Sequence, residues 1–420
     1  MKRVSIIGAT FTGNRGAEAM LTTTIGRIRE QYADCLFCVF SYYPADDRRL
    51  IDDERIHICS ATPLYLVTIL LPFSVLLVFL RRFPAGIRNL LIPDSVRRLS
   101  DSDVLIDLAG VAFIDGRVKT LPYNVLSLFP AFILGIPVIK FSQALGPFRN
   151  PINRALARFT LSRCRRVFAR GSQTLNHLEN LQITTVHDSV AADVAFLRKR
   201  GDSPSRESLP EIARSKREIE AETRPIIGIC PSSVVAINMK KRGRDYCAQI
   251  AELCRYLLDQ NYALLLFPNA TRQAYMDRLR NNDLPLIIDV NHRLVSYPAA
   301  AEHLHAITYD LNSDNIAGLI QKCHFVITSR FHAMVAALGA GIPVTVVGWG
   351  HKYTEVMASF GLEDYVFDFR EFNSTALFPV IHSSLSNTAV LMKRIESDLT
   401  AVKTSSQEQF DYLFKFPGQN

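Results

Sequence analysis

The sequence has no run of basic residues long enough to form a nucleic-acid-binding arm, although lysine and arginine outnumber aspartate and glutamate by 48 to 40. A net charge of +8 that is not gathered into such an arm favours anionic substrates or a membrane surface as partners. Nucleic acid is therefore not an expected partner.

Cysteine provides no recognisable metal site or disulfide framework. The eight cysteines are scattered. Cys35 and Cys38 have CxxC spacing, but they lie in the apolar run CLFCVF with no second pair or histidine cluster. We expect buried thiols in a reducing compartment rather than a metal or redox site.

The N-terminal stretch MKRVSIIGAT lacks the long apolar core of a signal peptide, so we expect a cytoplasmic protein. The loop that follows, in GATFTGNRGAEAM, lacks the G-x-G-x-x-G of a dinucleotide site. Its helix start can still hold an anion or a sugar hydroxyl, with Asn14 and Glu18 as the polar side chains that face the ligand. The alternative is that Asn14 is a turn or cap residue and Glu18 a favourable first-turn charge.

Length and composition indicate two globular α/β domains. A chain of 420 residues is too long to fold around one hydrophobic core, and a composition that is 48% hydrophobic and 21% charged is typical of globular proteins. We predict an N-terminal Rossmann-like domain over 1–200, a linker over 201–224, and a C-terminal Rossmann-like domain over 225–420 that ends in terminal helices. Two such domains facing across a cleft form a GT-B-like arrangement, and the cleft is the expected active site.

A long apolar segment interrupts the N-terminal domain over about 61–92 and is called the apolar insertion below. Residues 63–80 carry no charge, which reaches the lower limit for a membrane span. Pro72 interrupts the segment, and a single span would separate the two halves of one sheet. We therefore favour a hairpin or helix that lies in the membrane interface. The basic residues expected near acidic headgroups are Arg81, Arg82, Arg88, Arg97 and Arg98. The alternative is a buried helix pair or a dimer contact.

The stretch 328–352, TSRFHAMVAALGAGIPVTVVGWGHK, has the pattern strand, loop, helix, turn, strand, loop. It places Arg330, His332 and Lys352 after the carboxyl ends of two strands, where open α/β sheets bind ligands. Arginine and lysine suit an anionic ligand, and histidine can move a proton. The alternative is a strand–helix–strand unit whose loop is basic for no functional reason.

The same stretch resembles the polysaccharide pyruvyl transferases, in the block SRFHAMVAALGAGIPV followed by HKY. The resemblance extends to GNRGAEAML, AGVAFIDG, LGPF, FARGSQT and Asp193, with Ala109–Gly110 where two glycines are expected. It implies transfer of an enolpyruvyl group from phosphoenolpyruvate to sugar hydroxyls of a polysaccharide or lipid-linked oligosaccharide precursor, usually as a cyclic ketal with release of phosphate. It also implies donor binding by Arg170, Arg330, the main chain of Phe331, and His332, and it leaves the N-terminal domain, with Asn14, Glu18 and Asp115, to bind the acceptor.

The chemistry of phosphoenolpyruvate is compatible with these residues. Arg170 and Arg330 can each grip the carboxylate or the phosphate, and Lys352 can stabilise the departing phosphate. His332 is the candidate general acid for the enol carbon or general base for the hydroxyl. No step requires a metal or a cofactor other than the co-substrate.

The sequence is also compatible with two other functions. The enzyme alternative is a GT-B glycosyltransferase that uses a nucleotide sugar, and the non-enzyme alternative is a membrane-associated scaffold of the same fold. For single residues, His332 can be a helix-start histidine bonded to the backbone, Lys352 a surface residue, and Arg170 part of a solvated basic face.

Overall fold

The computed structural model describes residues 1–186, 190–199, 201, 210–348 and 351–415. These residues divide into two compact units. The N-terminal unit comprises Met1–Phe11, Met20–Arg198 and Thr404–Asn420, and the C-terminal unit comprises Thr12–Ala19 and Lys199–Lys403.

The strands are short and mostly buried on both faces, which is typical of parallel sheets covered by helices. They are β1 (Arg3–Ile7), β2 (Gly13–Asn14), β3 (Leu36–Ser41), β4 (Ile56–Ser60), β5 (Val104–Asp107), β6 (Val111–Ala112), β7 (Val138–Leu145), β8 (Arg166–Ala169), β9 (Ile226–Cys230), β10 (Ala263–Leu266), β11 (Ala270–Thr271), β12 (Leu304–Ala306), β13 (Phe325–Thr328), β14 (Val344–Gly348) and β15 (Val366–Asp368).

Helices cover and connect these strands. They are α1 (Arg15–Gln31), α2 (Pro44–Leu50), α3 (Pro63–Tyr65), α4 (Leu71–Leu80), α5 (Ala85–Leu91), α6 (Asp94–Ser100), α7 (Leu121–Leu126), α8 (Phe129–Leu134), α9 (Pro151–Leu161), α10 (Ser172–Glu179), α11 (Pro210–Ala221), α12 (Ser233–Lys240), α13 (Tyr246–Asp259), α14 (Leu284–Leu294), α15 (Pro298–His303), α16 (Ser313–Ile320), α17 (Phe331–Gly339), α18 (His351–Ala358), α19 (Ser374–Ser386) and α20 (Thr388–Lys415).

Each unit is built on one parallel sheet. In the N-terminal unit the strand order is β4-β3-β1-β5-β7-β6, with β8 paired to β7. In the C-terminal unit it is β12-β10-β9-β13-β14-β15. Both orders reverse direction at one point, between β1 and β5 and between β9 and β13, as in doubly wound folds. The predicted α/β class with two Rossmann-like halves is confirmed.

Besides the predicted linker, which is counted with the C-terminal unit, the division into units differs from the predicted boundaries in two segments. Residues 12–19 are counted with the C-terminal unit because β2 pairs with β11 there, Asn14 opposite Ala270. The end of α20 is counted with the N-terminal unit, where the Gln409 side chain accepts a hydrogen bond from the backbone N–H of Ser142 at 2.6 Å. Such long-range pairings leave no local pattern in the sequence.

The predicted linker 201–224 contains helix α11 over Pro210–Ala221, and residues 202–209 lie outside the described part. Two buried isoleucines, Ile212 and Ile219, lie on one face of α11. The Tyr309 hydroxyl donates to the carbonyl of Glu211 at 3.0 Å. The sequence predicts a linker here rather than a helix because α11 buries only two isoleucines among many charged residues, so its apolar periodicity is weak.

The apolar insertion is helical. One helix runs from Pro63 to Leu80, is long and apolar enough to cross a membrane by length and composition, and is 22% buried. A π-helical stretch, Leu66–Leu70, ends two residues before Pro72, whose ring cannot fit a regular helix without local widening. Leu66, Leu70 and Leu77 are buried in the core of the N-terminal unit, so the segment is neither fully buried nor detached from the sheet.

Candidate active site

The reversal of strand order in the C-terminal unit brings two polar strand ends together. β9 and β13 are neighbours, with Cys230 opposite Thr328. Beyond these residues the chain continues into α12 after β9 and into α17 after β13. In open α/β sheets the crevice beyond the carboxyl ends of such neighbouring strands is the usual ligand site.

Arg330 links these two strand ends. The Thr328 hydroxyl accepts from the backbone N–H of Arg330 at 2.9 Å, which turns the chain from β13 into α17. The guanidinium Nη2 donates to the Ser233 hydroxyl at 2.9 Å and to the carboxylate of Asp283. Its Nε is buried and has no hydrogen-bond partner among the described residues. A donor at the switch point is therefore left available for an anion.

Asp283 holds Arg330 and three backbone groups. Its side chain is fully buried. It accepts from the N–H of Ser233 at 2.9 Å, of Asn269 at 3.2 Å and of Ala270 at 2.9 Å. One carboxylate thus joins the loops after β9 and β10 to Arg330. Sequence reasoning missed Asp283, although an aspartate directly before Leu-Pro is a common helix-start signal.

Burial and contact with Asp283 together set the pKa of Arg330. Burial by itself lowers the pKa of the Arg330 guanidinium, but the adjacent carboxylate of Asp283 outweighs it, so that the pKa lies above its usual value. Arginine remains charged under all relevant conditions. The site therefore presents a permanent, largely desolvated positive group, and desolvation strengthens its attraction for an anion.

His332 lies against the start of α1. A methyl group built on Gly16 would lie 2.0 Å from Nδ1 and 2.1 Å from Cγ of His332. On another side the ring meets Phe331 edge-on, with centroids 5.1 Å apart. The glycine backbone and the phenylalanine together restrict the orientation of the imidazole.

Lys352 lies beside the same helix start. Its ammonium is 5.0 Å from the centroid of the Phe331 ring and 5.1 Å from that of Tyr353, within the range of cation–π attraction. The Tyr353 hydroxyl donates to the carbonyl of Ser329 at 3.2 Å. Arg330 and His332 therefore follow β13 and Lys352 follows the neighbouring strand β14, which are the two strand ends that the sequence pattern predicts. The role of these residues in donor binding and catalysis stays a prediction.

The loop 12–19 contributes to the same region of the C-terminal unit. The Asn14 side chain accepts from the N–H of Gly16 at 3.0 Å, which makes Asn14 a turn residue. Ala270, its partner in the β2–β11 ladder, donates its N–H to Asp283. Asn14 is thus connected to the Arg330 site through a single strand residue.

Glu18 takes part in a buried ion cluster around Arg15, a residue that sequence reasoning did not single out. Arg15 donates to Glu18 at 2.6 Å, to Asp310 at 2.9 Å and to the Thr271 hydroxyl at 3.0 Å. Burial lowers the pKa of Arg15, but the two carboxylates raise it by more. This cluster secures the loop against the C-terminal unit, and the part of Glu18 in acceptor binding stays a prediction.

Arg170 and Asp115 belong to the N-terminal unit. Arg170 is buried, and it donates to Asp193 at 2.6 Å and to the carbonyl of Gly110 at 2.5 Å. Asp115 accepts from the N–H of Arg149 at 2.6 Å and from the Asn153 amide at 2.8 Å. Both side chains have structural bonds, and their roles in donor and acceptor binding stay predictions.

Within the described ranges no group of three or more His, Cys, Asp or Glu side chains could hold a metal ion. The eight cysteines are buried thiols. The chemistry that the Arg330 site offers from its own residues is binding of an anion, stabilisation of negative charge and proton transfer by histidine.

Comparison with solved structures identifies the class of fold. A Listeria monocytogenes protein described as a UDP-N-acetylglucosamine 2-epimerase has a TM-score of 0.60 at 10% identity, covering 100% of this chain and 98% of that one. UGT71G1 of Medicago truncatula, solved with UDP-glucose, has a TM-score of 0.57 at 9% identity, covering 98% and 97%. At these identities the likeness is one of fold, the GT-B fold of epimerases and glycosyltransferases.

The chain belongs to the polysaccharide pyruvyl transferase family, whose model matches residues 14–351. It is also similar to the amylovoran biosynthesis protein AmsJ of Erwinia amylovora, at 21% identity over 401 residues and 92% of each chain. The family predicted from the SRFH block is confirmed, and the chain is a transferase-family protein related to polysaccharide biosynthesis.

Proposed function

We propose that the protein transfers the enolpyruvyl group of phosphoenolpyruvate to sugar hydroxyls of a polysaccharide or lipid-linked oligosaccharide precursor, closing a cyclic ketal and releasing phosphate. The observation that carries this proposal is the largely buried Arg330, which Asp283 and Ser233 hold at the switch point while its Nε–H has no hydrogen-bond partner among the described residues. Family membership supports the choice of pyruvyl donor.

Phosphoenolpyruvate has two anionic groups, a carboxylate and a phosphate. Arg330 is a suitable binding partner for one of them. The free edge of the guanidinium suits a carboxylate or phosphate. The start of α17 adds the positive end of a helix, and main-chain contact at Phe331 is expected there. Lys352 supplies a compact positive charge for the phosphate as it leaves.

The reaction balances without a cofactor. A proton is added to the methylene carbon of phosphoenolpyruvate, one sugar hydroxyl oxygen bonds to the central carbon, the bond from that carbon to the phosphate oxygen breaks, and a second hydroxyl closes the ketal. Of the two hydroxyl protons lost, one balances the new methyl group and the other the released phosphate. His332 is the proposed general acid for the carbon or base for the hydroxyl.

Donor identity is tested by ligand stabilisation and turnover. Millimolar phosphoenolpyruvate is expected to raise the melting temperature, because a ligand that binds the native state stabilises it. With lipid-linked sugars it should also give released phosphate and a product whose mass reports the ketal. His332→Gln should lower phosphate release about 100-fold or more while stabilisation by phosphoenolpyruvate persists. Stabilisation by UDP-glucose and none by phosphoenolpyruvate would refute the proposal in favour of a nucleotide-sugar transferase.

Gly16 is expected to position His332. Gly16→Ala places a methyl group where the imidazole lies, and a displacement of about 1 Å in a catalytic group costs about 10²-fold in rate. We expect kcat to fall about 10- to 100-fold. The melting temperature should fall as well, because the methyl group would also lie 2.5 Å from Cβ of His332, which cannot move away without a shift of the backbone.

Gly318 in α16 is the matched control, because a methyl group built there meets nothing within 4 Å. Gly318→Ala should leave kcat unchanged. If Gly16→Ala has the same kcat as the wild type, catalysis does not depend on the present position of the His332 imidazole.

A further inference from the structure

The apolar insertion exposes an unusual amount of apolar surface. Leu64 is 74% exposed, Phe79 71% and Leu90 84%. Further exposed apolar side chains on the same segment are Val67, Val75, Leu76, Val78, Phe83, Ile87 and Leu91. Large exposed apolar patches on soluble proteins mark interaction sites.

The segment is fastened to the N-terminal unit along its other face. Leu66, Leu70, Ser74 and Leu77 are buried, a helical stripe that points into the core. The chain enters the insertion from β4 and leaves it through α6 towards β5, and both strands belong to one parallel sheet. The helix therefore lies on the surface of the unit with one face in and one face out, which is the geometry of an interfacial helix rather than a span.

Charge indicates what covers this face. Residues 61–92 contain three arginines, Arg81, Arg82 and Arg88, and no acidic residue. Arg82 is exposed, and Arg81 donates to the carbonyl of Leu134 at 2.6 Å, which places it at the end of α4. Arginines bordering an apolar face complement anionic lipid headgroups.

Two further arginines that the sequence suggested as contacts for lipid headgroups form ion pairs within the protein. Arg97 and Arg98 pair with Asp94 in α6, at 3.4 Å and 2.5 Å. The positive charge available to a membrane therefore lies within the apolar insertion itself.

The apolar surface continues beyond the insertion. α4 packs on α8, and Phe129 of α8 stacks on Phe159 of α9 with centroids 5.8 Å apart. Phe159 is 43% exposed and has the guanidinium of Arg163 3.6 Å above its ring. The same combination of exposed apolar side chains and arginine thus recurs on the neighbouring helix.

We infer that the exposed face of residues 63–91 docks the protein onto an anionic lipid bilayer. A second copy of the chain fits this face less well, because a self-association would bring its arginines together with no carboxylate on the segment to neutralise them. The inference does not depend on the donor or the acceptor sugar.

The test is sedimentation of the full-length protein with vesicles of phosphatidylcholine alone or with about one third phosphatidylglycerol. We expect binding to the anionic vesicles that falls as salt rises. Phe79→Asp with Leu90→Asp should reduce binding at least tenfold. Arg82→Ala should reduce it about fivefold on anionic vesicles, as each basic residue near such a surface is expected to do.

Val295 is 73% exposed in the C-terminal unit and is the matched control. Val295→Asp should bind as the wild type does, and circular dichroism of each variant verifies folding. Equal binding by the Phe79→Asp, Leu90→Asp variant overturns the inference. The inference is also overturned if the wild-type protein does not bind vesicles and is dimeric in solution while this variant is monomeric. A second copy of the chain then covers the face.

Discussion

Replacement of Asp283 by alanine is expected to lower the free energy of unfolding by about 3–5 kcal/mol, because removing one partner leaves the other charge of a buried pair uncompensated. The carboxylate is fully buried and satisfies three backbone N–H groups besides Arg330. Urea unfolding monitored by circular dichroism measures the loss.

Two variants test this interpretation of Asp283. Asp283→Asn keeps an acceptor oxygen but loses the charge, so its loss should be smaller than that of alanine. Asp277 is 77% exposed, and Asp277→Ala should change stability by no more than about 0.5 kcal/mol. A loss below about 1 kcal/mol for Asp283→Ala would contradict a central role for this carboxylate.

Replacement of Arg330 by lysine is expected to lower kcat/KM for phosphoenolpyruvate by about 10²–10³-fold, with the protein still folded. Lysine keeps the positive charge opposite Asp283, but a single ammonium cannot hold Asp283, Ser233 and a planar anion together. Loss of one well-placed donor to developing negative charge costs a rate factor of this order. Phosphate release at varied donor concentration measures the effect.

Arg278 is 63% exposed in the same unit, and Arg278→Ala should keep the wild-type kcat/KM. The lysine variant should also lose stabilisation by phosphoenolpyruvate in thermal unfolding. Wild-type kcat/KM in Arg330→Lys would remove Arg330 from the donor site and with it the main support of the proposed function.

Local patterns were sufficient for the main features of the C-terminal half. The apolar run FVIT followed by SRFH predicts a strand that ends in polar residues, and GIP predicts a stop between helix and strand. The structure has β13, α17 and β14 in these places. The strand-end rule also applies to Ser233 after β9, although it was not used there.

The apolar insertion shows the limit of composition. An uncharged run of 18 residues predicts contact with an apolar environment, but burial of Leu66, Leu70 and Leu77 on one face is a property of the packed unit. Only the fold separates the buried stripe from the exposed face that includes Phe79 and Leu90.

By itself the sequence determined the α/β class, the family and the position of Arg330 and His332 at a strand end. Those conclusions rest on residues close together in the chain, where alternation, helix caps and short motifs are visible. Tertiary structure alone decided that Asp283 and Ser233 hold Arg330, that Gly16 adjoins His332, and that residues 12–19 join the C-terminal unit. These partners lie tens to hundreds of positions apart, and strand order rather than spacing brings them together.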